Sequence, residues 1–151
     1  MRFIIGTDEA GYGPNLGPLV VAASLWQVPD EVECLYEALQ PVVCKAEAYR
    51  SSRHRAQVPI GDSKTLYQSR GSLATLERSV LTLLGATGVS PDSFSGLVQQ
   101  VARPSAPRLE LERTYHWDEV TYPASCQRQE IDTLVMRVRE TMADSDVQCL
   151  Q

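Results

Sequence analysis

The sequence predicts an α/β protein. Two apolar runs near the N-terminus, at 3–5 and 19–25, have the length and composition of strands. Several later segments repeat apolar residues at helical intervals, most clearly at 73–84 and 127–143. The 151 residues are enough to bury a hydrophobic core, so we expect one domain spanning 1–151.

The first two strands are expected at 2–8 and 18–26. The segment between them is short and rich in glycine, which favours antiparallel pairing as a hairpin. A first helix then begins at Asp30 and Glu31 and ends before Pro41. Its predicted apolar face consists of Val32, Leu35, Tyr36 and Leu39. Residues 41–58 are expected to be irregular and polar.

Three further helices are predicted. In the first of them, Thr65 and Gln68 have the spacing of a capping box. Its apolar residues are Leu73, Leu76, Val80, Leu83 and Leu84. The next begins at 90–93, and its predicted buried face is Phe94, Leu97, Val98 and Val101. The last spans 127–143, with the stripe Ile131, Leu134, Val135, Val138 and Met142. We also expect a strand within 103–125 and another beginning at Val147.

Composition bounds the class of protein. The net charge of −5 gives no support for tight, non-specific binding of nucleic acid through clustered basic residues. The only basic cluster lies at 50–55, and it is either a solvated loop or a phosphate contact. No apolar run approaches the roughly 20 residues of a membrane span, and the N-terminus does not resemble a signal peptide. We therefore expect a cytoplasmic protein with no membrane partner.

The most informative segment is GTDEAGYGP at 6–14. The carboxylates of Asp8 and Glu9 close the first strand, and Gly11 and Gly13 follow at once. Acids at a strand end, beside glycines that let another backbone come close, suit a site for divalent cations and phosphate. For Asp8 and Glu9 alone, an acidic turn is the alternative.

Together with Gly17-Pro18 and the apolar run after it, this segment resembles the first motif of type 2 ribonucleases H, the ribonuclease HII family. Two later segments resemble further motifs of that family and occur in the same order. One is Asp62-Ser63-Lys64, which precedes a helix. The other is Ser125 with Glu130-Ile131-Asp132. The resemblance covers about half of the chain.

The resemblance implies a ribonuclease H-like fold, in which helices flank a mixed sheet. It also implies cleavage of RNA in RNA–DNA hybrids, or cleavage beside ribonucleotides embedded in DNA, with Mg²⁺ or Mn²⁺ held by four acidic residues. Asp8 matches the central metal ligand and Glu9 a supporting one. Because adjacent strand residues point to opposite faces, both can serve one site only at a strand end or bulge.

The resemblance also implies substrate-binding residues. The glycine loop with Gly11, Tyr12 and Gly13 matches the segment that reads the ribose 2′-hydroxyl. Lys64 matches a lysine beside the scissile phosphate, although a surface lysine is the simpler interpretation. Ser63 is interpreted as a hydroxyl at the helix start that orders the loop.

The sequence departs from the family in two respects. The family's Gly-Arg-Gly is Gly11-Tyr12-Gly13 here, and Tyr12 either stacks on a base or sugar or packs against the protein. The third and fourth acids also have no match, because the chain given stops shortly after the last helix. Asp118 and Glu119 are local candidates, and an exposed loop is the simpler interpretation of both.

Three functions therefore stay open. The first is a metal-dependent endonuclease from which the C-terminal part of the family domain, with its last strands, is missing. The second is a catalytically inactive relative that binds nucleic acid. The third is an unrelated domain whose glycine loop holds another phosphate ligand.

Overall fold

The computed structural model describes residues 1–10, 20–68, 73–101 and 120–150. Within them the chain is a mixed α/β protein with two small sheets. The strands are β1 (Arg2–Ala10), β2 (Val20–Val28), β3 (Val43–Lys45), β4 (Val58–Ile60) and β5 (Gln148–Leu150). The helices are α1 (Leu35–Ala38), α2 (Ser63–Gln68), α3 (Ala74–Ala86), α4 (Phe94–Val101) and α5 (Arg128–Asp144), with short 3₁₀ turns at Ala48–Arg50 and Ser52–His54. No helix in this part of the chain is long and apolar enough to cross a bilayer.

The larger sheet has the order β1-β2-β5. The predicted hairpin is confirmed: β1 and β2 pair antiparallel in an unbroken register from Arg2–Val28 to Ala10–Val20. The predicted C-terminal strand is also confirmed, since β5 pairs antiparallel with the end of β2. Because directly paired residues share a face, one side of the hairpin carries Ile4 and Trp26, which pack against the core.

The smaller sheet is a parallel pair of β3 and β4. Its two strands are among the most buried segments of the chain, and Val58 is fully buried. The expectation of an irregular, polar segment at 41–58 is therefore wrong for 42–46. A three-residue strand that pairs in parallel with a distant segment has too few residues to reveal its period in the sequence.

The core lies between the smaller sheet, the end of β2 and α5. Its fully enclosed members are Val28, Leu39, Val42, Val43, Val58, Leu134, Val138 and Val147. The last predicted helix is confirmed with a shift of one residue at each end, and Ile131, Leu134 and Val138 of its stripe are buried. The first predicted helix is shorter than expected, but its predicted apolar face does pack on the core.

The predicted buried face of α3 is partly wrong. Leu73 and Val80 are 59% and 47% exposed, whereas α3 buries Arg78, Ser79 and Thr82 along with Leu81. Buried polar residues carry no signal in a hydrophobic pattern, so the pattern predicts the wrong buried face for this helix. The predicted buried face of the helix expected to begin at 90–93 is wrong, since no residue of α4 is buried and Val101 is 52% exposed. Most of the strand expected within 103–125 falls outside the described residues.

Candidate functional site

The two acids of the first motif lie near the loop end of β1. Asp8 pairs with Ala22 and Glu9 with Val21, in a ladder that continues without a bulge to the last residue of the strand. Both side chains are exposed. Asp8 shares the hairpin face of Ile4 and Trp26, which meets the core, and Glu9 points to the opposite face. The register therefore separates the two carboxylates across the strand.

Asp8 has one local contact. Its Oδ1 accepts the backbone N–H of Glu9 at 3.0 Å. A carboxylate offers about four acceptor positions on its two oxygens, so this bond leaves capacity for a cation or for another donor. The predicted substrate-binding residues Gly11, Tyr12 and Gly13 lie outside the described residues.

Asp62-Ser63-Lys64 connects the smaller sheet to α2. Gly61 lies against Ala46, and a Cβ atom at Gly61 would come within 2.7 Å of the Ala46 Cβ. Glycine therefore allows the connection from β4 to α2 to pack closely against Ala46. Asp62 then caps α2, because its Oδ1 accepts the backbone N–H of Lys64 at 2.7 Å. The helix begins before the predicted capping box at Thr65, with Ser63 and Lys64 exposed on its first turn.

The described residues do not join these two motifs by direct contact. No hydrogen bond or ion pair in the described ranges links Lys64 to Asp8 or Glu9. The strands that carry the motifs belong to different sheets, β1 to the larger and β4 to the smaller. Among the same residues, no three His, Cys, Asp or Glu side chains come together as a group that could hold a metal ion.

The acids of the described chain do not fit a two-metal site. Mg²⁺ requires near-octahedral oxygen coordination and dehydrates reluctantly, and two acids on opposite faces of one strand supply few of those oxygens. Asp8 and Glu9 as joint metal ligands therefore stay a prediction. What the geometry offers is one exposed carboxylate on each face of the hairpin.

The third motif segment has a structural role. Ile131 is 2% exposed in the core, and the Glu130 Oε1 accepts a hydrogen bond from Arg78 Nη1 at 2.7 Å. Arg78 is itself buried and also donates to the Tyr49 hydroxyl, at 2.5 Å. Its guanidinium lies 5.3 Å from the centroid of the Tyr49 ring, in cation–π geometry. The motif therefore links α5 to α3 and to the 3₁₀ turn at Ala48–Arg50.

A second contact, between Glu77 of α3 and the residues before α5, has no signal in the sequence. The Glu77 carboxylate accepts the backbone N–H groups of Ala124 at 2.6 Å and Ser125 at 2.7 Å, and the Cys126 thiol at 3.1 Å. These groups precede α5, so Glu77 occupies a small anion-binding nest at its start. Burial, and next the hydrogen bond to Glu77, raise the pKa of Cys126 to about 12, which keeps the thiol protonated as a donor. No sequence pattern signals a carboxylate 47 residues from its partner.

Between α3 and α5 lies a cavity of about 200 Å³. Its charged lining residues are Arg128, Asp132 and Arg139. Both arginines are engaged with backbone carbonyls: Arg128 donates to Tyr122 and Arg139 to Gly85, each at 2.6 Å. The guanidinium groups of both arginines are therefore used to hold α5 to neighbouring parts of the chain around the cavity.

Comparison of the chain with protein-family models, with curated proteins and with solved structures found no match.

Proposed function

We propose that this chain is a ribonuclease HII-like protein with a ribonuclease H-like fold. Its substrates would be RNA in RNA–DNA hybrids or ribonucleotides embedded in DNA. The observation that carries the proposal is the placement of Asp8 and Glu9, exposed at the loop end of β1 in a hairpin whose connecting segment begins with Gly11-Tyr12-Gly13. In the enzymatic form, Asp8 would be the central ligand of Mg²⁺ or Mn²⁺, and Glu9 would support it only where the end of β1 departs from the register that separates the two carboxylates.

The second motif supports the same proposal. Asp62 fixes the first turn of α2, so that Ser63 and Lys64 are presented to solvent at its N-terminus. An exposed lysine favours a phosphate group as a point charge. Ser63 and Lys64 are therefore the proposed substrate-binding residues in the described part of the chain.

A second candidate function is binding without hydrolysis. It is favoured by the register of β1, which directs Asp8 and Glu9 to opposite faces, and by the small number of acids near them in the described ranges. A relative that kept the hairpin and lost the full acid set would still recognise a sugar–phosphate backbone. Recognition of such a backbone depends on positive charge and donors rather than on the metal.

The test uses a labelled DNA duplex with one embedded ribonucleotide and an RNA–DNA hybrid, each with Mg²⁺, with Mn²⁺ or with EDTA. For the endonuclease we expect cleavage beside the ribonucleotide that requires the metal. Asp8→Asn should lower the rate roughly 100-fold or more, because the central ligand contributes several kcal/mol of charge stabilisation. Asp144→Asn is the matched control, since Asp144 is an exposed acid at the end of α5.

Binding is measured in parallel by fluorescence anisotropy in EDTA. Hybrid binding without cleavage, equal in wild type and Asp8→Asn, would establish the second candidate in place of the first. Cleavage that persists in Asp8→Asn would remove Asp8 from the site. Neither binding nor cleavage of either duplex would contradict both candidates.

A further inference from the structure

The free edge of β1 is the longest exposed strand edge in the described part of the chain. β1 has nine residues and lies at the end of the order β1-β2-β5, so within the described ranges it pairs on one side only. From Arg2 to Glu9, every residue except Ile4 is exposed. An edge of this length leaves a row of backbone N–H and C=O groups directed outward.

This edge is also apolar. Phe3 is 61% exposed and Ile5 is 69% exposed, both on the hairpin face that points away from the core. Val21, on the same face of β2, is 67% exposed. Proline, a bulge and lysine, three of the devices that protect natural edge strands, do not occur within Arg2–Ala10, and the charges of the strand, on Arg2, Asp8 and Glu9, lie near its two ends.

The sequence of β1 is self-complementary in one antiparallel register. If two copies of the strand pair about a two-fold axis at Ile5, then Phe3 lies opposite Thr7 and Ile4 opposite Gly6. In the same register Arg2 lies opposite Asp8, and symmetry repeats that pair at the other end. Arg2 is the only basic side chain of β1 and Asp8 is one of its two acids.

Other registers lose this charge match. A pivot at Gly6 places Asp8 opposite Ile4, and a pivot at Ile4 places Arg2 opposite Gly6. A shift by a single residue would pair side chains from opposite faces of the sheet. Opposite charges directly across a strand pair stabilise it and like charges destabilise it, so the charges select the register about Ile5.

From this edge and its charges, we propose that the chain forms a symmetric dimer in which β1 pairs antiparallel with β1 of a second copy about Ile5. The two three-stranded sheets become one continuous six-stranded sheet. The interface has an ion pair at each of its two ends, between Arg2 of one copy and Asp8 of the other. Arg2 also donates to the Val32 carbonyl, which leaves further N–H groups of its guanidinium for the carboxylate.

The dimer goes beyond the proposed nuclease function and does not depend on it. Association is measured on the protein alone in EDTA, without metal or nucleic acid, so failure of one proposal leaves the other standing. The two are linked at Asp8, since a carboxylate paired with Arg2 of a second copy would not be free to bind a metal.

The test is sedimentation velocity from about 1 to 100 µM protein, a range that covers weak and transient dimers. We expect the wild type to shift from monomer to dimer across it. Arg2→Asp and Asp8→Arg each place like charges opposite one another twice, and each should raise the dissociation constant at least about tenfold. The double variant Arg2→Asp/Asp8→Arg restores opposite charges and should return to within about threefold of wild type.

Glu140→Arg is the control, because it makes the same change of charge as Asp8→Arg at an exposed position of α5. Hydrogen exchange of wild-type β1 amides is a second measurement that needs no variant, and their protection should rise with protein concentration. A wild type that is monomeric throughout overturns the proposal. So do single variants that dimerise as well as wild type, or a double variant no better than the singles.

Discussion

Three polar side chains are buried on one face of α3, and they differ in what surrounds them. Arg78 has Glu130, Tyr49 and the Gln57 carbonyl as partners. The Ser79 hydroxyl donates to the carbonyl of Pro59 at 2.9 Å. Thr82 is completely buried, and its hydroxyl has no hydrogen-bond partner among the described residues. A buried hydroxyl without a partner has lost its bonds to water and gained none in return.

We therefore expect Thr82→Val to stabilise the protein. Valine has nearly the shape of threonine and a similar helix propensity, and it removes the desolvation cost of the hydroxyl. The free energy of unfolding should rise by about 1 kcal/mol, which urea denaturation measures. Thr133→Val is the control: the Thr133 hydroxyl is exposed and donates to the Gln129 carbonyl at 2.9 Å, so no gain is expected there. A loss of stability in Thr82→Val would show that its hydroxyl is bonded.

At the scale of elements, strong local patterns predict the structure well. The hairpin predicted at 2–8 and 18–26 is found at Arg2–Ala10 and Val20–Val28, and each end of α5 lies within one residue of its predicted position. Elements that depend on distant partners were not predicted. β3 exists because it pairs with β4, and α3 turns Arg78 inward because Glu130 and Tyr49 receive it. Neither partner can be read from the local sequence.

The contact between α3 and α5 depends on a glycine. A Cβ atom at Gly85 would lie 2.6 Å from Cγ2 of Val135, and valine is too stiff at χ1 to move aside. Gly85→Ala should therefore destabilise the protein by about 1–3 kcal/mol, although alanine gains about 1 kcal/mol in helix propensity. Chemical denaturation measures the change.

The matched control for that steric effect is a double-mutant cycle with Val135→Ala. Val135→Ala alone should cost stability through lost packing. In Gly85→Ala/Val135→Ala the clash is absent, so the double variant should be more stable than the sum of the single effects by at least about 1 kcal/mol. Additive effects would mean that α3 and α5 separate to accommodate the extra methyl group.

At the scale of the whole molecule, the candidate site divides into what a motif can predict and what it cannot. The motifs predict Asp8 at the end of a strand, but β1 continues past it to Ala10. They also predict Asp62-Ser63-Lys64 at the start of a helix, and α2 begins at Ser63. Their mutual distance depends on how two separate sheets pack, which no local sequence determines. The Glu130 motif belongs instead to the contacts that hold α5 to the rest of the chain.

The contacts of Glu77 with the residues before α5 should make the stability of the whole protein depend on pH. Burial alone would raise the pKa of Glu77, but the N–H of Ala124, the thiol of Cys126 and the other donors of the loop lower it below the ordinary 4.5. As the pH falls, the Glu77 carboxylate of the unfolded chain is therefore protonated at a higher pH than that of the folded chain. The contribution of Glu77 to the free energy of unfolding is present above about pH 4.5 and is lost as the pH falls through the folded pKa.

Glu77→Gln should lower the free energy of unfolding by about 1–3 kcal/mol at pH 7, and the difference between this variant and wild type should shrink in acid. Unfolding by urea at pH 7 and below pH 4 measures both values, with Glu140→Gln as the exposed control. A difference that is the same at both pH values would show that the loop does not depend on the charge of Glu77.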